Sequence, residues 1–382
     1  MRRLLLLLLL ACAPSGCDIV FHIDKIPGGG SGVIDATEPH SDTQNPVCTL
    51  VGKYGMGGAG LIRYCVHTDS PAMLDLSGPF DTTANQLCDY QASNGADMNP
   101  VCVVPAHVIT VTTSLVVTGD KPLVLAALDT ITITGSINLT GGGGANPGVC
   151  TTTGEGTAGD PSPNGTSGGG GGGGGGSWQT KGGKGGAGKS GIAAPSGALS
   201  PAVVDIRGGC IGGSGGGGIS GSGGKGGNGG GALYLTAHNV VRVSNTGSIN
   251  ASGRGGGGGI APDGGAGAGG SGGLIAFDSP TVTFDLFSQP GAKLFANGGG
   301  GGAGGNAVIG GTSTDPAVAA PGGVPNGGAG AIGEANGAIG TAGTTSGGGG
   351  GGGGQGFIIL YEARGVLMLD PNHISPNLMV GI

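Results

Sequence analysis

Two stretches decide how this chain is read: VCVVPAHVITVTTSLVVTG at 101–119 and LVLAALDTITITGSINLTG at 123–141, which align without a gap at an offset of 22 residues. The alignment sets Val101 on Leu123, Val103 on Leu125, Ile109 on Ile131, Val111 on Ile133, Leu115 on Ile137 and Val117 on Leu139. Every pair is aliphatic. Between them Thr110, Thr112 and Thr118 meet Thr132, Thr134 and Thr140. Apolar and polar positions therefore alternate with the two-residue period of a half-buried strand, and each copy predicts three short strands.

Further copies follow, with inward positions at Leu233, Leu235, Val241, Val243, Ile249 and Ala251, then at Leu274, Ala276, Val282, Phe284, Leu294 and Ala296, and last at Ile358, Leu360, Val366, Met368 and Ile374. A weaker copy around Ile62, Tyr64, Leu74, Leu76 and Phe80 predicts a cysteine-containing N-terminal cap over 48–100. One such unit cannot bury its own apolar face, so the copies are expected to stack. The expected fold is all-β: a short parallel β-helix, or β-solenoid, of about five to six coils over 101–382. Right-handed crossovers are the general rule for parallel strands.

Glycine supplies 99 of the 382 residues and lies mostly in three insertions, 141–231, 253–273 and 298–356. Each starts after a third strand and ends before the next first strand, so long glycine-rich loops are expected to leave the solenoid at one corner. Polyglycine has no side chain to bury, and fixing each residue costs about 1–2 kcal/mol. Two outcomes stay open: a hydrated brush, or polyproline-II-like helices leaning on one another through their backbones.

The N-terminus reads as an export signal. Arg2 and Arg3 precede an unbroken leucine run from Leu4 to Leu10 and a small-residue stretch ending at Cys17. The apolar run is too short to span a bilayer as a helix. The segment Ala13-Pro14-Ser15-Gly16-Cys17 resembles the cleavage site of bacterial lipoprotein signal peptides, which implies lipidation of Cys17. Cys12 is the alternative. The expected organisation is a signal peptide at 1–16, a lipidated flexible tether at 17–47, the cap and the solenoid. The implied location is the bacterial cell envelope, with the outer membrane or cell surface favoured over the inner membrane.

Beyond the leader stand Cys48, Cys65, Cys88, Cys102, Cys150 and Cys210, an even number without the short pairs of zinc sites. Disulfides are expected. Sequence leaves the pairing open; the preferred set joins Cys48 to Cys65, Cys88 to Cys102 and Cys150 to Cys210, the last closing the longest glycine insertion.

Motifs for chemistry are few. A net charge of -7 gives no support for binding a phosphate backbone, so nucleic acid is not an expected partner. Residues 183–190 match the phosphate-loop pattern, but no buried strand precedes them and helix breakers follow, so nucleotide binding is not expected either. The acidic and histidine residues are dispersed, which predicts no metal, no cofactor and no catalytic residue. Trp178 with Lys181 and Lys184 forms the one aromatic and basic cluster within an insertion, and is a candidate surface contact.

The leader ending Gly16-Cys17-Asp18-Ile19-Val20-Phe21, the segment Val101-Cys102-Val103-Val104 and the glycine tracts after each coil resemble uncharacterised glycine-rich exported lipoproteins of Gram-negative bacteria. That resemblance implies an envelope location and a non-catalytic structural or adhesive surface role. Expected partners are a membrane, through the lipid, and an extracellular polysaccharide or another envelope protein. A polysaccharide-binding or polysaccharide-cleaving β-helix and a passive spacer are the alternatives.

Overall fold

The computed structural model describes residues 48–382 apart from 53–60, 63, 91–92, 95–98, 143–149, 151–153, 163–167, 200–202, 204, 286–289, 333–334, 344–345, 363–371 and 381–382. The leader, the tether, Cys12 and Cys17 lie outside the described residues, as do Val366 and Met368.

The expected single β-helix is not what forms. Parallel strands are divided between a nine-stranded and a six-stranded sheet, and two further strand pairs are antiparallel. Extensive parallel sheet is usual in α/β proteins, yet no helix occurs among the described residues. The larger sheet is built on the long strands Cys102–Val111 and Leu123–Ile133, followed by Ala232–Ala237, Leu274–Ser279 and Phe357–Glu362. The smaller runs through Gly78–Asp81, Ser114–Thr118, Ser136–Asn138, Ser248–Asn250, Lys293–Phe295 and Ile374–Ser375.

Two separate cores overturn the solenoid. Between the sheets, Leu123, Leu233, Ile275 and Ile358 form one paired row across the larger sheet, and Leu115, Ile137, Ile249, Leu294 and Ile374 form a facing row in the smaller. A second core covers the opposite face of the larger sheet, where Val103, Val124, Tyr234, Ala276 and Ile359 are buried with Val66, Trp178 and Ile206. Both faces are therefore dry along Ala232–Ala237, Leu274–Ser279 and the first residues of Leu123–Ile133, which is why these read as near-continuous apolar runs, whereas Val240–Val243 and Thr281–Phe284 alternate buried with exposed residues. At roughly 1.5–3 kcal/mol per fully buried aliphatic side chain, these rows supply the main apolar stabilisation.

Two inward assignments are corrected by the register. Cys102, not Val101, pairs with Leu123, because the ladder is irregular between Ala106 and Val108; beyond that point Ile109 pairs with Ile131. Cys102 and Val104 thus face the core between the sheets, while Val101 and Val103 face the second core. Ile275 and Phe277 likewise take the places assigned to Leu274 and Ala276.

The glycine tracts are not loops thrown from a corner. Residues 168–177 are buried along their whole length, and their amide donors turn by one third of a circle per residue. Gly170, Gly173 and Gly176 donate to Asp263, Ala266 and Gly269; Gly171, Gly174 and Ser177 donate to Asp160, Thr157 and Gly154; Gly172 and Gly175 donate to Gly186 and Gly183. Their carbonyls accept from three more segments, 191–197, 213–216 and 348–354. Three directions of donation and three of acceptance are what a helix with three residues per turn and no internal hydrogen bonds offers.

The same surroundings recur for 264–272, 298–305 and 347–354, giving a hexagonal bundle of extended segments stacked in layers. One outer layer holds 154–162, 209–217 and 222–230, and the opposite one holds 318–323, 326–331 and 337–343. Three segments run directly into strands of the larger sheet: 222–231 into Ala232–Ala237, 264–273 into Leu274–Ser279 and 347–356 into Phe357–Glu362.

Glycine is required here for closeness. A methyl group built on Gly172 would overlap the carbonyl oxygen of Gly349, and one on Gly350 that of Gly267. Each segment exchanges solvent for backbone hydrogen bonds, net about 0.5–1.5 kcal/mol apiece, with Cα–H···O contacts adding to them. These offset the ordering cost that argued for a brush.

Candidate binding surface

The bundle presents its side chains in columns. Within 181–188 glycine occupies two of every three positions, so Lys181, Lys184 and Ala187 stand exposed along one ridge while Gly182, Gly183, Gly185 and Gly186 are buried. On the outer layer nearest the first core strands, Ser222, Lys225 and Asn228 make a similar exposed column. Between 337 and 343 the glycines Gly337, Gly340 and Gly343 face inward and Ala338, Ile339, Thr341 and Ala342 face out.

Of the proposed surface contact, Lys181 and Lys184 are exposed and Trp178 is not. Trp178 has no exposed surface; it packs edge-on against Phe357 with centroids 5.1 Å apart, and the Arg207 guanidinium lies 4.3 Å from its ring centroid. The apolar area of an indole is worth more in a core than on a lysine-rich ridge. Arg207 also donates to Cys150 Sγ at 2.9 Å and pairs with Asp205 at 3.6 Å. Burial draws its pKa below the usual guanidinium value, and Asp205 opposes that shift. This cluster fastens the bundle to the sheet.

Cys88 is bonded to Cys102 and Cys150 to Cys210. Cys65 is also disulfide-bonded and sits on Tyr64–His67, the strand paired with Cys48–Val51. The phosphate-loop match at 183–190 is an extended stretch of the bundle: Gly183 and Gly186 donate to Gly352 and Gly349, leaving no nest of free amides for a phosphate. Among the described residues no group of His, Cys, Asp and Glu is placed to hold a metal ion.

Where the sheets meet the bundle a cleft of about 170 Å³ opens, lined by Asp120, Ile211, Asn228 and four glycines. Gly119 and Gly142 hold φ of 99° and 102°, values that L side chains rarely adopt, so these parts of its wall stay bare. Asp120 Oδ1 accepts from Thr83 Oγ1 at 3.0 Å and from Lys121 Nζ at 3.2 Å. Slight burial raises the Asp120 pKa, but the hydrogen bonds from Lys121 and Thr83 outweigh it and leave the carboxyl below its ordinary value. Asn228 donates through Nδ2 to the Gly141 carbonyl at 3.1 Å. No sequence motif marks this cleft, since Asp120 and Asn228 meet only through the docking of bundle on sheet.

No protein-family model, no curated protein and no solved structure matches the chain. Among the described residues no helix is long and apolar enough to cross a membrane.

Proposed function

We propose that this chain is an exported, non-catalytic envelope protein that is anchored through a lipid on Cys17 and holds a stiff glycine bundle outward as an adhesive surface. The ordered bundle carries this reading. A body built from backbone hydrogen bonds presents regular columns of exposed side chains, such as Lys181, Lys184 and Ala187 or Ser222, Lys225 and Asn228. Its disulfides suit an oxidising compartment. The outer membrane or cell surface is the proposed address, and an extracellular polysaccharide or another envelope protein the proposed partner.

Labelling cells with an alkynyl palmitate, alongside a Cys17→Ala control, tests the anchor. Label on the wild-type chain that disappears in the variant is expected. Adhesion of beads coated with the mature protein to polysaccharide-bearing surfaces tests the role; beads that adhere no better than uncoated ones would leave only a passive spacer.

A further inference from the structure

We infer that the cleft between Asp120 and Asn228 binds a neutral sugar unit of an extracellular glycan, an inference that rests on the adhesive reading and gives it a site. The acceptors are placed for hydroxyl donors. Asp120 uses Oδ1 for Thr83 and Lys121, while its Oδ2 and the Asn228 amide oxygen have no hydrogen bond among the described residues. Hydroxyl groups donate to carboxylate and amide oxygens alike, and a charged acceptor strengthens the bond.

The rest of the wall selects a flat, partly apolar ligand. Ile211 offers a half-exposed aliphatic surface for the C–H face of a sugar ring, and the glycines let that ring approach the backbone closely. Charge selects against the other ligands a carboxylate could attract. The Lys121 ammonium already sits on Asp120, and the Arg254 side chain lies along Gly141 beside the cleft, so a cationic ligand meets like charge. An anionic one meets the Asp120 carboxylate. A neutral polyol meets neither, and the opening of the cleft to solvent suits one unit of a longer chain.

Isothermal titration of the full mature protein with cellohexaose, laminarihexaose and chitohexaose, and with 1,5-diaminopentane as a cationic probe, tests the site. At least one neutral oligosaccharide is expected to bind. Asp120→Ala and Asn228→Ala are each expected to weaken it about tenfold or more, the effect of losing a hydrogen bond to a charged or fixed acceptor. Arg242→Ala, exposed on the strand Val240–Val243 and outside the cleft, is expected to leave it unchanged. Asp120 and Asn228 are exposed, so an unaltered melting temperature verifies that both variants fold. Oligosaccharide binding that survives Asp120→Ala overturns the cleft while leaving a glycan adhesive. Failure of every neutral oligosaccharide to bind overturns the site and the glycan partner together, and displacement of a bound oligosaccharide by diaminopentane overturns the choice of a neutral ligand.

Discussion

Trp178 meets Phe357 edge to face, their planes inclined at 76°, at the point where a glycine segment passes into the larger sheet. Phe357 starts the strand Phe357–Glu362, and Trp178 directly follows the buried run 168–177. The contact therefore ties two parts of the bundle to the start of the same strand.

Trp178 is the one tryptophan in the chain, so its fluorescence reports this junction alone. The native protein is expected to emit at short wavelength and resist quenching by iodide. Trp178→Ala should cost about 3–5 kcal/mol, the usual loss for a large buried aromatic, read as a lower urea midpoint. A loss below 1 kcal/mol would show that the bundle holds to the sheet without it.

Inside the bundle, alanine is expected to be far worse than glycine despite its better intrinsic propensities. Gly172→Ala and Gly350→Ala place a methyl group on a neighbouring carbonyl and should each destabilise by about 1–3 kcal/mol or more, as overpacking does. Gly217→Ala is the control, since the nearest atom to its added methyl is the Gly221 oxygen at 3.8 Å. Thermal melts of the three variants separate close approach from backbone entropy.

The Cys150–Cys210 bridge spans 60 residues of sequence. Chain-entropy reasoning assigns such a loop about 4 kcal/mol. Cys150→Ala with Cys210→Ala should lower stability by that order, and limited proteolysis should then cut within 154–210 while the wild-type protein resists. Equal resistance in both would place the stability of these segments wholly in the backbone hydrogen bonds.

Acid should loosen one seam between sheet and bundle. Lys293 Nζ reaches Asp315 Oδ2 at 2.6 Å, and this hydrogen bond, against a smaller opposing effect of burial, holds the carboxyl below its ordinary value of 3.8. A folded-state pKa that is depressed stabilises above the unfolded value and stops doing so as pH falls through the folded one. The side chains are about one third exposed, so the effect should stay below about 1 kcal/mol. Lys293→Met should remove that share of the decline in urea stability below about pH 4.

The strand rows were legible because Ile109 and Ile131, or Leu233 and Leu123, carry the same chemistry at matching places. The fold class was not, because alternation hides a sheet buried on both faces: Val103, Val124 and Tyr234 read as outward positions until a second core is known to cover them. A one-residue irregularity near Ala106 also shifted the first strand, which no spacing rule announces. The bundle's mark in the sequence is the three-residue period of Lys181, Lys184 and Ala187 or of Gly337, Gly340 and Gly343. Of the two outcomes left open for the glycine tracts, the bundle matches the second, polyproline-II-like segments that lean on one another through their backbones. Trp178 looked like a surface residue because its sequence neighbours are lysines, while Phe357 and Arg207 reach it only through the fold.

The threefold winding of the glycine segments also sets a rule for how their length can change. Removing one residue from 168–176 would turn every amide beyond the deletion toward the wrong neighbour, whereas removing three would shorten the segment and restore each partner. Indels in these tracts are thus tolerable in triplets, a reading frame imposed on the protein by its own hydrogen bonds.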